Sequence, residues 1–247
     1  MTENSSAGKI AIIAAMHREI SGLVRGWQTR DLQFAGKKFR TYESPRAVVV
    51  AGGIGARIAR LASQAIVNVY QPNLLISCGI AGSVSSNIRV AEVVQPQEIL
   101  DLETNCRYRA AGSDGLLLSA SSILPTDTKR SLAAKHGAIA VDMEAAAVAA
   151  VASANHIPVF AIKAISDDLD SHLPPLNRFI RADGSFATGA FLRHIALRPS
   201  EWRPTMSLAR NTRLAIAALE IALRDLIDTQ EAAASAIKSS AGADRNV

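Results

Sequence analysis

The chain has 247 residues, 49% of them apolar and 20% charged, which excludes a disordered chain, a small disulfide scaffold and a collagen-like fibre and suits one α/β domain with a sizeable core. Its net charge is +5, scattered without a run of five like signs, and aromatic residues make up 4%. A protein that stacks bases needs more rings than that, so nucleic acid is not an expected partner.

Residues 1–8 are polar and read as a flexible tail. Ile10–Ala14 is apolar and β-branched, as a strand requires, and the apolar run 10–16 is too short for a secretory signal. Residues 17–25 predict a short helix. Segments 33–34 and 39–42 flank Gly36-Lys37 as a hairpin, and Ala47–Ala51 follows as a strand. Within 54–70, Ile58, Leu61, Ala62, Ala65, Ile66 and Val69 recur with a period of 3.6, which predicts an amphipathic helix. Segments 74–78, 92–100 and 139–141 read as strands, the last leading into an Ala-rich helix over 144–155. A strand over 158–165 enters a long polar loop, and helices are expected over 186–197 and 205–228. Residues 231–247 read as a flexible end, which leaves one domain over 9–230. The alternation of strands and helices predicts a three-layer α/β/α fold around a central mixed, mostly parallel sheet.

Cys78 lies in an apolar run and reads as a small hydrophobe, and neither it nor Cys106 has metal-ligand spacing. A reducing, cytoplasmic compartment is the default for such a chain. No apolar run approaches the ~18 residues of a membrane span.

Ligands of open α/β sheets bind beyond the carboxyl ends of the strands. Those ends carry Met16, His17, Arg18 and Glu19; then Gly52-Gly53-Ile54-Gly55; Gly79-Ile80-Ala81-Gly82; Asp142-Met143-Glu144; and Ser166-Asp167-Asp168. Glycines there admit a ligand close to the backbone, or simply make tight turns. The first cluster lacks the third glycine of a dinucleotide fingerprint, and no Gly-x-Ser-x-Gly is present. Glu144 at the start of a helix reads either as a macrodipole partner or as a functional acid. Asp167, Asp168, Asp170 and His172 resemble a metal cluster without the glycine and terminal glutamate of an EF-hand.

Taken together, Ile10-Ala-Ile-Ile-Ala-Ala-Met16 with Glu19, Gly53-Ile-Gly55, Gly79-Ile-Ala-Gly82, Ala140-Val-Asp-Met-Glu-Ala145 and Ala164-Ile-Ser-Asp167 resemble the purine nucleoside phosphorylase and nucleosidase family. The likeness is greatest to its branch that cleaves methylthioadenosine and adenosylhomocysteine. The resemblance implies N-glycosidic cleavage of a small-molecule purine nucleoside, a 5′-modified adenosine, in a homodimer without metal or organic cofactor. It implies that Asp167, helped by Ser166, protonates or hydrogen-bonds N7 of the base, and that Glu144 holds the ribose hydroxyls with Met143 against the sugar. Glu19 would orient or deprotonate a nucleophilic water. Gly53, Gly55, Gly79 and Ile80 would form the glycine turns around the substrate. Where the family places that water with a serine and an arginine, this chain has Ile80 and Lys163. The departure leaves room for inorganic phosphate as co-substrate, with Arg57, Lys163 and Arg18 as candidate partners.

Farther along, the run from Asp167 through Pro175, Asp183-Gly184 and Arg198-Pro199 looks like the hopanoid-associated phosphorylase subgroup. That implies an adenosine carrying a lipid. The helix over 205–228 offers Leu208, Leu219, Leu223 and Leu226 on one face, with Arg210, Arg213 and Arg224 elsewhere. Packing on the sheet or on a second subunit is the plainer expectation for it, and contact with a membrane the other. A non-catalytic nucleoside-binding protein and a metal-dependent hydrolase are the competing functions.

Overall fold

Strand β1 (Ile10–Ala14) sends Ala11 and Ile13 to one face of a sheet and Ile10, Ile12 and Ala14 to the other, all buried. Alternation with apolar residues on both sides marks a strand covered by helices on both faces. The computed structural model describes residues 9–243, with side chains through Thr229. The tail read over 1–8 lies outside them, as do residues 244–247. A 3-10 turn (His17–Glu19) follows β1, then the hairpin β2 (Gln28–Phe34) and β3 (Lys37–Glu43), β4 (Ala47–Ala51), α1 (Ala56–Tyr70) and β5 (Leu74–Ser83). Next come β6 (Val93–Val94), β7 (Pro96–Asp101), β8 (Arg107–Arg109), β9 (Asp114–Ser119), α2 (Thr126–His136), β10 (Ala138–Asp142), α3 (Ala145–Ala154) and β11 (Val159–Asp167). The chain ends in α4 (Thr188–Ala196) and α5 (Trp202–Ala243).

The sheet runs β2-β3-β4-β1-β5-β10-β9-β7-β8, with β11 laid on β5 and β6. Its middle is parallel: β4, β1, β5 and β11 run together, as do β10, β9 and β7. The hairpins at the edges and the β5–β10 and β6–β11 pairs are antiparallel. β5 is the hub. It pairs with β1 at its start, with β11 along its length, and with β10 at Gly82 and Ser83.

Helices α1 and α3 cover one face, where Ile58, Ala62 and Ile66 meet Ala11, Val48 and Leu75. α3 is apolar nearly all round and is buried accordingly. On the other face Ala215, Leu219 and Leu223 of α5 are fully buried over Ile12, Ile76 and Ile162. The fold is therefore the expected three-layer α/β/α arrangement around a mixed sheet. Cys78 is buried in the α5 layer, where desolvation pushes its thiol up and leaves it a small hydrophobe. Among the described residues no helix is long and apolar enough to cross a membrane.

Several local expectations are corrected. The helix expected over 17–25 is one 3-10 turn followed by turns. Gly79-Ile-Ala-Gly82 is not a turn but the second half of β5, because β11 and β10 pair with it to its end. The single strand expected over 92–100 is split into β6 and β7. The elements β8, β9 and α2 were not expected at all. α5 continues to Ala243, across part of the segment 231–247 read as a flexible end.

Leu219→Ala is expected to lower the unfolding free energy by about 2–5 kcal/mol in urea denaturation. Leu214→Ala on the same helix, where the side chain is 48% exposed, should change it by less than about 1 kcal/mol.

Candidate active site

Lys163 belongs to the β11 side chains that face α3, and it is 1% exposed. A buried ammonium needs partners, and it has two: Oδ2 of Asp142 at 2.9 Å and Oγ of Ser77 at 2.9 Å. Burial works against its charge, but Asp142 and Glu144 outweigh that and hold its pKa above the ordinary lysine value. Asp142 also accepts from the backbone N–H of Ala145 at 2.9 Å and from the Ser119 hydroxyl at 2.9 Å, while Ser119 Oγ accepts from Ala146 N–H at 3.2 Å. The free N–H groups opening α3 are thus capped by Asp142 and Ser119.

That arrangement leaves Glu144, the residue before α3, with no capping duty. Its Oε1 accepts from Gly55 N–H at 2.7 Å and its Oε2 from Met143 N–H at 3.3 Å. Gly55 at φ +97° and Gly53 at φ +125° hold backbone conformations that other residues rarely adopt, and this is how the loop after β4 points an N–H at a carboxylate. Burial, then repulsion by Asp142, pushes the Glu144 carboxyl up to about 7, against the pull of Lys163 and Gly55. Glu19 reaches back to Met16 N–H at 2.9 Å from the 3-10 turn and approaches Ile80 N–H at 3.4 Å. Burial raises its pKa too, against Met16 N–H, Lys163 and Ile80 N–H. At the end of β11, Oδ1 of Asp167 accepts from the Ser166 hydroxyl at 2.8 Å and Oδ2 from Lys129 Nζ at 2.5 Å.

These groups line one cavity of about 680 Å³. Of the residues singled out from sequence, Glu19, Arg18, Ile80, Met143, Glu144, Ser166 and Asp167 all face it. Gly53, Gly55 and Gly79 stand behind this layer, Gly79 lying directly beneath the Glu19 carboxylate. Two of the three candidate phosphate partners are not brought to the cavity. Lys163 is held beneath it by Asp142 and Ser77. Arg57 donates to the Ala182 carbonyl at 2.6 Å, beside Lys37 on Asp183 O at 2.6 Å and Ile54 N–H on Gly184 O at 2.8 Å. Three donors therefore pin three successive carbonyls of the turn before α4.

Much of the remaining lining is apolar. One face of α5 contributes Leu208, Ala209, Thr212 and Ile216, and the segment before α4 contributes Leu173, Leu176 and Phe186. The apolar face proposed for α5 is thereby divided. Leu208 lines the cavity, whereas Leu219 and Leu223 pack on the sheet. Sequence reading passed over Lys129 on α2 and the loop carrying Ser122, Ile123 and Leu124, and Arg213, read only as a cation off the apolar face of α5, also lines the cavity. The candidate metal cluster is dispersed: Asp167 turns inward, Asp168 accepts from Ser171 and Asp170 pairs with Arg130. Among the described residues no three His, Cys, Asp or Glu side chains are grouped to hold an ion.

Residues 9–135 and 111–188 match the profile of the phosphorylase superfamily. A 5′-methylthioadenosine/S-adenosylhomocysteine nucleosidase of Buchnera aphidicola subsp. Acyrthosiphon pisum is 26% identical, over 66% of this chain and 87% of its own. A variant of Helicobacter pylori MTAN, solved with 5′-methylthioadenosine in its active site, superposes with a TM-score of 0.69 at 16% identity, over 91% of this chain and 100% of that one. The futalosine hydrolase of Helicobacter pylori gives 0.68 at 17% identity, over 90% and 98%. At those identities the two structures share a fold with this chain.

Removing one partner of a buried pair leaves the other charge uncompensated. Lys163→Met should cost about 3–5 kcal/mol of stability, and adding Asp142→Leu should recover part of it, as a double-mutant cycle by thermal or urea unfolding would measure.

Proposed function

The chain belongs to the phosphorylase superfamily, and on that premise we propose that it cleaves the N-glycosidic bond of an adenosine with an apolar 5′ substituent, releasing adenine. The observation that carries this reading is the meeting of Glu19, Met143, Glu144, Ser166 and Asp167 in one cavity whose remaining lining is largely apolar. The activity named for the Buchnera relative, on methylthioadenosine and adenosylhomocysteine, supports the substrate class. The apolar lining supports a 5′ group of the kind that the hopanoid-associated resemblance implies. The assembly proposed with this reading is a cytoplasmic homodimer that uses no metal or organic cofactor.

Cleavage builds positive charge on the ribose and negative charge on the base. Glu144, steadied by Gly55, accepts from the ribose hydroxyls and stabilises the oxocarbenium-like transition state. Met143 gives the sugar an apolar surface. Ser166 and Asp167 mark the end of the cavity where N7 of the base receives its proton. Glu19, with a raised pKa, is suited to take a proton from a nucleophile. Water is the nucleophile this geometry favours, since Arg57 and Lys163 face away from the cavity. Phosphorolysis is the second reading, and it rests on Arg18 and Arg213, which both line the wall.

Purified protein incubated with methylthioadenosine and with longer 5′-alkyl adenosines should release adenine without phosphate. Release that requires phosphate and yields a ribose 1-phosphate would replace hydrolysis by phosphorolysis, and no release from any of them would remove the proposal. Glu144 acts as an anion, so kcat/KM should be low where it is protonated, climb with pH through about 7 and level off above. Glu144→Gln should abolish that limb and lower kcat/KM by about 10²–10³-fold.

A further inference from the structure

α2 has almost no apolar face, and the one residue it buries is Lys129, 3% exposed. Lysine is rarely buried without a partner. Here the ammonium sits 2.5 Å from Oδ2 of Asp167 in the cavity wall. The fit is close on the sheet side as well: a Cβ at position 82 would lie 2.8 Å from both Lys129 Nζ and Asp167 Oδ2, so β5 carries Gly82 where it passes the pair.

Both oxygens of Asp167 are already acceptors, one for Lys129 and one for the Ser166 hydroxyl. Ser166 can turn its hydroxyl to Ala81 O at 3.3 Å, but a proton placed on Oδ2 would face an ammonium that only donates, so on that side Lys129 is the group with hydrogens to give. The ammonium carries three hydrogens, and Asp167 engages one of them. We propose that Lys129 is the proton donor to the leaving base and that Asp167 is the residue that positions it. This rests on the reaction proposed above. As the C1′–N9 bond breaks, its electron pair passes into the purine. A hydrogen of Lys129 Nζ moves to N7, leaving a neutral amine still hydrogen-bonded to the Asp167 carboxylate. Solvent returns the proton after the base departs.

The test uses the full-length chain, methylthioadenosine as substrate, and kcat and KM measured across pH. Lys129→Met should lower kcat by about 100-fold or more with KM changed only a few-fold. Lys129→Arg keeps the cation and the pairing with Asp167, but guanidinium does not give up a proton in this range. It should therefore fold normally by circular dichroism, bind a 7-deazaadenosine analogue as the wild type does, and stay as slow as Lys129→Met. Wild-type kcat in Lys129→Arg would overturn the assignment by showing that only the charge is needed. Lys129→Met within threefold of wild type, with Asp167→Asn inactive, would overturn it in favour of Asp167 alone. Failure of the wild type to release adenine would overturn the proposed function itself, and this assignment with it.

Discussion

The buried pair of Lys163 and Asp142 fixes most of what surrounds the cavity. Lys163 comes from β11 and Asp142 from β10. Through Ser77, Ser119 and the first N–H groups of α3, the pair also joins β5, β9 and a helix. Its geometry relieves Glu144 of capping α3 and leaves that carboxylate to the loop carrying Gly55. Its charges also set the field: Lys163 favours the anions of Glu19 and Glu144, while Asp142 opposes that of Glu144. An apolar pair of the same volume could fill this space without leaving an unpaired charge. It could neither cap the helix nor balance the carboxylates above it.

Around this centre the elements divide their tasks. The ends of β1, β5, β10 and β11 carry the polar groups, which suits them, because strands in the middle of a sheet hold side chains rigidly. The loop after β4 contributes backbone N–H groups, and the turn before α4 docks on it through Ile54, with Arg57 of α1 and Lys37 of β3 holding the turn from either side. Arg57, a candidate for binding phosphate, instead secures the chain that closes one side of the cavity.

The sequence revealed the centre of the sheet well, because β1 and β4 are unbroken apolar runs and α1 carries an apolar pattern with a period of 3.6. It revealed the polar groups as a set because they follow those strands. It hid what lies outside such patterns. β8 is Arg-Tyr-Arg at an edge, mostly exposed, and at three residues is too short to establish a period. α2 turns a lysine inward where an amphipathic helix would turn leucine, so periodicity passes over it. The signals that mark it are at its ends: Pro125 before the first turn, Thr126 and Asp127 within it, and Gly137 in the left-handed conformation after it. Neither the engagement of Lys163 by Asp142 nor the departure of Arg57 from the cavity was legible, since both are settled by contacts between distant segments.

The double duty of α5 bears on how such a protein can diverge. Leu208, Ala209, Thr212 and Ile216 line the cavity, and farther along the same helix Leu219 and Leu223 are embedded in the core. No proline or glycine interrupts it between these parts, so it has no built-in place to kink. A roof anchored in this way keeps its position when its inward side chains change. Replacing Ala209 or Thr212 with larger or smaller residues would alter the space for a ligand directly, while the acids stayed where they are. In the proposed reaction, the residues that shape the space for the 5′ group and the acids therefore sit on separate stretches of chain, and one set can drift under selection without the other.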